Sequence, residues 1–124
     1  AQTSSVRDGL GQAATQAALR TGARAICAFT RSGSSAFAIS KFRPDVPILA
    51  LTPDESVMRR INLAWGVYPF KSPVVKDAEE MIEAVRNALL EKAGVRSGDL
   101  VCLVFGMPVG VSGQTNTLHL MRLE

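Results

Sequence analysis

Three short, unbroken apolar runs, set between stretches of helical spacing, constrain this chain most. They are Ala25-Ile26-Cys27-Ala28-Phe29, Pro47-Ile48-Leu49-Ala50-Leu51 and Leu100-Val101-Cys102-Leu103-Val104-Phe105. A run of this length without polar alternation suits a strand covered on both faces, as in a parallel sheet. The segments between them read as helices. Val6, Leu10, Ala13, Ala14, Ala17 and Ala18 share one helical face, with Gly22 at the C-cap position. Residues 36–42 form a short helix stopped by Arg43-Pro44. Thr52-Pro53-Asp54-Glu55 opens another, with Thr52 as cap, that runs through Val57, Met58, Ile61 and Leu63. Asp77-Ala78-Glu79-Glu80 is a capping box before a face made of Ala78, Met81, Ile82, Val85 and Leu89, and Gly94 ends that helix. Residues 66–70 make a brief third strand that Pro69 confines to an edge or strand end. Residues 117–123 alternate like a half-exposed strand returning antiparallel. The expected fold is α/β: a three-layer α/β/α sandwich around a mostly parallel five-stranded sheet, the last strand antiparallel, with residues 1–124 as one domain. The longest run, at 100–105, is expected at the sheet centre.

Composition removes several classes of function. The 124 residues are 47% hydrophobic and 20% charged, a globular balance with room for one core. No apolar stretch approaches the roughly 20 residues of a membrane-spanning helix, so no membrane partner is expected. Ala1-Gln2-Thr3-Ser4-Ser5 lacks the charged lead of a secretory signal. The missing initiator Met suggests processing or a fragment. The net charge of +3 comes from 14 basic and 11 acidic residues, and no three basic residues are consecutive. Without a continuous basic footprint, nucleic acid is not an expected partner. An Arg-rich balance suits a small anion better. Cys27 and Cys102 lie inside apolar runs with no second ligand at metal spacing, so both are expected as buried, unpaired thiols in a cytoplasmic protein.

The residues with chemical potential gather in loops. The one His, His119, has no carboxylate near it in sequence, and no Gly-x-Ser-x-Gly elbow occurs. Glu79, Glu80 and Glu83 sit in the first turns of a helix, where they complement its dipole. Neither a catalytic centre nor a metal site is expected. Thr30-Arg31-Ser32-Gly33-Ser34-Ser35, in contrast, follows a buried strand directly and precedes a helix. In a parallel sheet that is the ligand-binding edge. Hydroxyls at Thr30, Ser32, Ser34 and Ser35, a charge at Arg31 and a small Gly33 that lets backbone approach a ligand suit a phosphate. The same residues also suit a plain Ser-rich helix cap. No Walker loop is present, so nucleotide hydrolysis is not implied. A second Gly-rich stretch, residues 106–116, leaves the 100–105 strand at the same edge. Gly110 and Gly113 permit a flap there, and Ser112, Gln114 and Thr115 supply hydrogen bonds.

These loops resemble a known family. Thr30-Arg31-Ser32-Gly33-Ser34-Ser35, then Ser40-Lys41-Phe42-Arg43-Pro44, then Pro47-Ile48-Leu49-Ala50-Leu51-Thr52, is similar to the carboxyl-terminal domain of pyruvate kinase. Trp65-Gly66-Val67-Tyr68-Pro69 and the stretch from Gly106-Met107-Pro108-Val109-Gly110 to Gly113-Gln114-Thr115-Asn116-Thr117 resemble the same domain, especially its bacterial form. The resemblance implies an allosteric regulatory domain. Its phosphate loop would be residues 30–35 and its effector loop Gly110, Ser112, Gly113, Gln114 and Thr115. It also implies that catalysis, with phosphoenolpyruvate, ADP, Mg2+ and K+, belongs to a separate barrel that this chain lacks. The connection Lys71-Ser72-Pro73-Val74-Val75-Lys76 carries no match to the Trp and Arg that grip a bisphosphate in eukaryotic-type members. That departure favours a sugar monophosphate or AMP as effector. Homo-oligomers through the last strand and helices are implied as well. The alternatives are a stand-alone phosphate-ligand-binding module and a purely structural assembly domain.

Overall fold

A computed structural model describes residues 6–91, 95–106 and 117–123. Helix α1 (Val6–Thr21) leads into β1 (Ala25–Phe29), α2 (Ser34–Ser40), β2 (Ile48–Thr52), α3 (Glu55–Ile61), β3 (Val67–Lys71), α4 (Ala78–Glu91), β4 (Leu100–Phe105) and β5 (Thr117–Arg122). The strands form one sheet in the order β3-β2-β1-β4-β5. All neighbours are parallel except β4 and β5. The expected sandwich is therefore present, with one correction. The centre is β1, and β4 lies between β1 and β5, because run length reports coverage of both faces and not position within the sheet.

Alternation within each strand feeds two cores. Ile26, Ala28, Ile48, Ala50, Cys102 and Val104 point to one face, against Ala14 and Ala18 of α1, Ala36 and Ile39 of α2, and Val57 and Ile61 of α3. Ala25, Cys27, Leu49, Leu51, Val101 and Leu103 point to the other, against Met81, Val85, Ala88 and Leu89 of α4. Each fully buried Ile or Leu contributes about 1.5–3 kcal/mol, so these doubly covered strands anchor the fold. The helix distribution follows from handedness. The chain moves outward from β1 to β3 with α2 and α3 on one face. It then returns to β4 on the far side of β1, and a right-handed crossover in that direction places α4 on the opposite face.

Local signals explain most boundaries. Gly22 adopts φ +72°, and the Ala23 amide donates to the Ala18 carbonyl at 3.0 Å, the 6→1 bond of a left-handed helix stop. The expected apolar face of α1 shifts: Val6 and Ala13 are exposed, while Gly11, Ala14 and Ala18 are buried. An alanine-rich helix carries little amphipathic signal, and the close contact is set by Gly11, where a Cβ would sit 2.9 Å from the Ala38 carbonyl oxygen. Thr52 is not the α3 cap but the last residue of β2, paired with Lys71. Asp54 is the cap, and Leu63 lies beyond the helix, fully solvated. Pro69 sits on the edge strand β3, as its missing donor requires. Both thiols are buried and unpaired. Burial raises Cys27 well above the ordinary thiol range and pushes Cys102 up to about 11, so neither is a thiolate at neutral pH. Among the described residues no helix is long and apolar enough to cross a membrane. Gly94 lies outside the described residues.

Candidate functional site

The chain order reverses around β1. Connections from β1 run toward β2, whereas β4 lies on its other side. The carboxyl ends of β1 and β4 therefore flank the topological switch point, where ligands of open α/β sheets bind. Residues 30–33 leave β1 at this point. Residue 106 leaves β4 beside it, since Ala28 is level with Val104. The pairing of Phe105 with Thr117 returns the chain to the same edge. The effector-loop residues Gly110, Ser112, Gly113, Gln114 and Thr115 lie outside the described residues.

The 30–35 loop is held by its own hydroxyls. The Thr30 amide donates to the Leu51 carbonyl at 2.9 Å, continuing the β1–β2 ladder by one residue. The buried Thr30 Oγ1 accepts the Gly33 amide at 2.9 Å. Ser32 Oγ accepts the Ser34 amide at 3.3 Å and lies 2.9 Å from Ser34 Oγ. Arg31 and Ser32 are exposed, Ser34 is half-buried, and Gly33 and Ser35 are buried. Gly33 caps the seven-residue α2 with φ +90°. A helix this short adds little macrodipole, so attraction for an anion rests on local amides, hydroxyls and guanidinium groups.

Two features of the loop depend on α3. A Cβ on Gly33 would lie 2.6 Å from Ile61 Cγ2 and 3.4 Å from Val57 Cγ1. Gly33 is thus required by the helix behind it as well as by its positive φ, whereas the sequence alone suggests only that it admits a ligand. Arg60 on the same helix donates from its guanidinium to the Ser32 carbonyl at 2.7 Å. No sequence signal marks Arg60, because it is 28 residues from its acceptor and reaches it only through the β1–β2 neighbourhood.

The adjoining loop at the end of β2 differs. Thr52 Oγ1 accepts the Asp54 amide at 3.3 Å, and Asp54 accepts both the Ser56 amide at 2.8 Å and the Ser56 hydroxyl at 2.7 Å. The Ser56 hydroxyl and amide hold the Asp54 carboxyl below its usual range. Lys71 donates to Glu55 at 2.9 Å and lowers that carboxyl too, by the hydrogen bond first and its charge second.

Elsewhere the chemistry is sparse. His119 is exposed on β5, opposite Leu103. No group of three or more His, Cys, Asp or Glu among the described residues could hold a metal ion. A groove of about 610 Å³ at the opposite, amino edge of the sheet is lined largely by apolar groups such as Leu19, Phe42 and Val46. The 30–35 loop and Arg60 together bring hydroxyls, amides and guanidinium groups to the carboxyl edge of the sheet.

Known proteins place this geometry in context. A family model described as pyruvate kinase, alpha/beta domain, matches residues 8–121. A pyruvate kinase of Geobacillus stearothermophilus is 38% identical over 113 residues, covering 91% of this chain and 19% of the relative. One from Clostridium acetobutylicum is 40% identical over 102 residues, covering 82% and 22%. One from Agrobacterium vitis is 39% identical over 110 residues, covering 89% and 23%. The chain spans about a fifth of the length of these curated relatives.

Proposed function

The chain belongs to the pyruvate kinase alpha/beta-domain family, and from that premise we propose that it is the allosteric regulatory part of a cytoplasmic pyruvate kinase, binding a phosphorylated effector through residues 30–35. The observation that carries this reading is the position of Thr30-Arg31-Ser32-Gly33-Ser34-Ser35 at the carboxyl end of the central strand, beside the switch point between β1 and β4. Arg31 and Ser32 are exposed and meet the phosphate. Ser34 and Ser35 donate from the start of α2. Thr30 and Gly33 hold the loop in shape, and the resemblance assigns Gly110, Ser112, Gly113, Gln114 and Thr115 to the effector loop. Because Ser32 Oγ already occupies the Ser34 amide, an incoming phosphate exchanges one acceptor for another. Its affinity then comes chiefly from the charge-assisted bond to the Arg31 guanidinium.

The parent enzyme transfers phosphate from phosphoenolpyruvate to ADP. Its Mg2+ and K+ would be held by the catalytic barrel of that parent enzyme. This chain acts by preferring one quaternary state when the effector is bound, which shifts the population of the whole enzyme. The outer strand β5, with Leu120 and His119 exposed, supplies an edge for pairing with a second copy. The effector is a sugar monophosphate or AMP.

A thermal-shift series with glucose 6-phosphate, AMP and fructose 1,6-bisphosphate tests this reading. A monophosphate at 100 times its Kd should add about 2.7 kcal/mol of stability. Arg31→Ala/Ser32→Ala should abolish the shift. A response to the bisphosphate alone overturns the monophosphate assignment, and no response to any phosphate overturns the effector role. Sedimentation of the same samples should give a dimer; a monomer at every concentration removes the β5 interface.

A further inference from the structure

Arg60 stands outside every motif that marks this chain, yet it grips the loop that would hold the phosphate. Its guanidinium donates to the Ser32 carbonyl at 2.7 Å. The next atom group along the chain, the Gly33 amide, donates to Thr30 Oγ1 at 2.9 Å. Carbonyl and amide belong to one planar trans peptide unit and point in opposite directions. The 32–33 peptide is therefore pinned at both ends, by α3 on one side and by the end of β1 on the other. A peptide plane followed by glycine meets less steric resistance to rotation than one followed by a residue with a Cβ. The far side of the 32–33 plane is Gly33, at φ +90°, a residue that tolerates either sign of φ. Rotation would turn the Ser32 carbonyl, with its partial negative charge, away from the Arg60 guanidinium.

We infer that Arg60 is a positioning residue for anion binding: by anchoring the Ser32 carbonyl to α3 it fixes the 32–33 peptide and keeps that oxygen neutralised beside the phosphate. The inference rests on the phosphate-loop reading above and adds to it a second guanidinium with a separate task. Arg31, exposed and beside Ser32 in the chain, meets the ligand. Arg60 shapes what the ligand meets. The bond to a carbonyl is what distinguishes the two roles, since that guanidinium edge is already engaged before any anion arrives.

The test compares Arg60→Gln, Arg60→Lys and, as a charge control, Arg59→Gln. Two readouts are used. In the absence of ligand, hydrogen exchange at the Gly33 amide should accelerate about 10-fold in Arg60→Gln, the scale of one lost hydrogen bond from a charged group. Arg60→Lys, which keeps a charged donor, should restore protection at least in part, and Arg59→Gln should leave it unchanged. By calorimetry with glucose 6-phosphate and AMP, Arg60→Gln should bind about 10-fold more weakly, with the loss retained at high salt, where a general charge effect is screened. Gly33 exchange equal to wild type in Arg60→Gln overturns the inference whatever the ligand does. Wild-type and Arg60→Gln affinities that agree overturn it too, while leaving the phosphate reading in place. An equal loss in Arg59→Gln reduces Arg60 to a contributor of charge and overturns the positioning role. A wild-type chain that binds neither phosphate overturns the effector reading and this inference with it, a result separate from the other three.

Discussion

Two adjacent loops leave the same edge of the sheet, each joining a parallel strand to a seven-residue helix, and they treat charge in opposite ways. The loop after β2 carries its own anion. Asp54 adopts an extended φ of −104° and uses its carboxylate on the Ser56 amide and hydroxyl. The helix start it caps is saturated by a covalently attached negative charge. The loop after β1 has no carboxylate. Its cap is Gly33, and its amides are met by the neutral hydroxyls of Thr30 and Ser32, with guanidinium groups at Arg31 and Arg60. A neutral acceptor is displaced by an anion at small cost, whereas a resident carboxylate repels one. The same strand-loop-helix geometry thus gives a closed structural joint in one case and a receptive site in the other.

The largest effect is expected where the two caps differ most in backbone. Gly33→Ala forces a left-handed conformation on a residue with a Cβ and places that Cβ 2.6 Å from Ile61 Cγ2. Left-handed strain and overpacking together should cost about 2–4 kcal/mol in urea unfolding. A loss below 0.5 kcal/mol would mean that α3 yields freely and that the loop is not fixed by the helix behind it.

A smaller but more direct change makes the first loop imitate the second. Ser32→Asp supplies the missing carboxylate at an exposed position, next to the Ser34 amide that Ser32 Oγ already serves. Binding of glucose 6-phosphate or AMP should weaken about 10-fold or more, as the new charge both competes for the amide and repels the ligand. Stability should remain within about 0.5 kcal/mol of wild type, as for most exposed substitutions. Undiminished phosphate binding by this variant would show that the ligand sits elsewhere.

The sequence made parts of this comparison readable and hid others. The runs at 25–29, 47–51 and 100–105 announced strands because both their faces are covered, and the structure has β1, β2 and β4 there. Pro69 marks an edge or a strand end, because a missing donor is tolerated at either, and β3 is an edge strand. Gly22 announced a helix stop because its φ of +72° suits few other residues. Spacing alone points to Thr52 as the cap of α3, and the cap is Asp54: both are good capping residues, and only pairing with Lys71 decides that the strand continues through Thr52. The strand order, which puts β1 at the centre, depends on how the chain crosses itself, and apolar runs do not encode that. The dependence of the 30–35 loop on Ile61 and Arg60 was hidden for the same reason. Contacts made through topology leave no spacing to read, so the loop was visible as a list of hydroxyls while the wall that shapes it was not.

The smallest expected effect concerns the resident anion of the second loop. The Ser56 hydroxyl and amide, which hydrogen-bond to its charged form, hold the Asp54 carboxyl below the ordinary carboxylate range. A depressed folded value means that the stabilisation is fully present above the unfolded value and disappears as pH falls through the folded one. Asp54→Asn keeps a capping oxygen but cannot titrate. The difference in urea midpoint between wild type and Asp54→Asn should therefore be constant near neutrality and should shift against wild type as pH falls from about 5 toward about 2.5. Glu55, whose carboxyl is also lowered, by Lys71, is present in both proteins and largely cancels from the difference. A difference that stays flat across this range would mean that Asp54 is not acting as a charged cap. The contrast between a loop that brings its own anion and one that awaits another would then rest on the first loop alone.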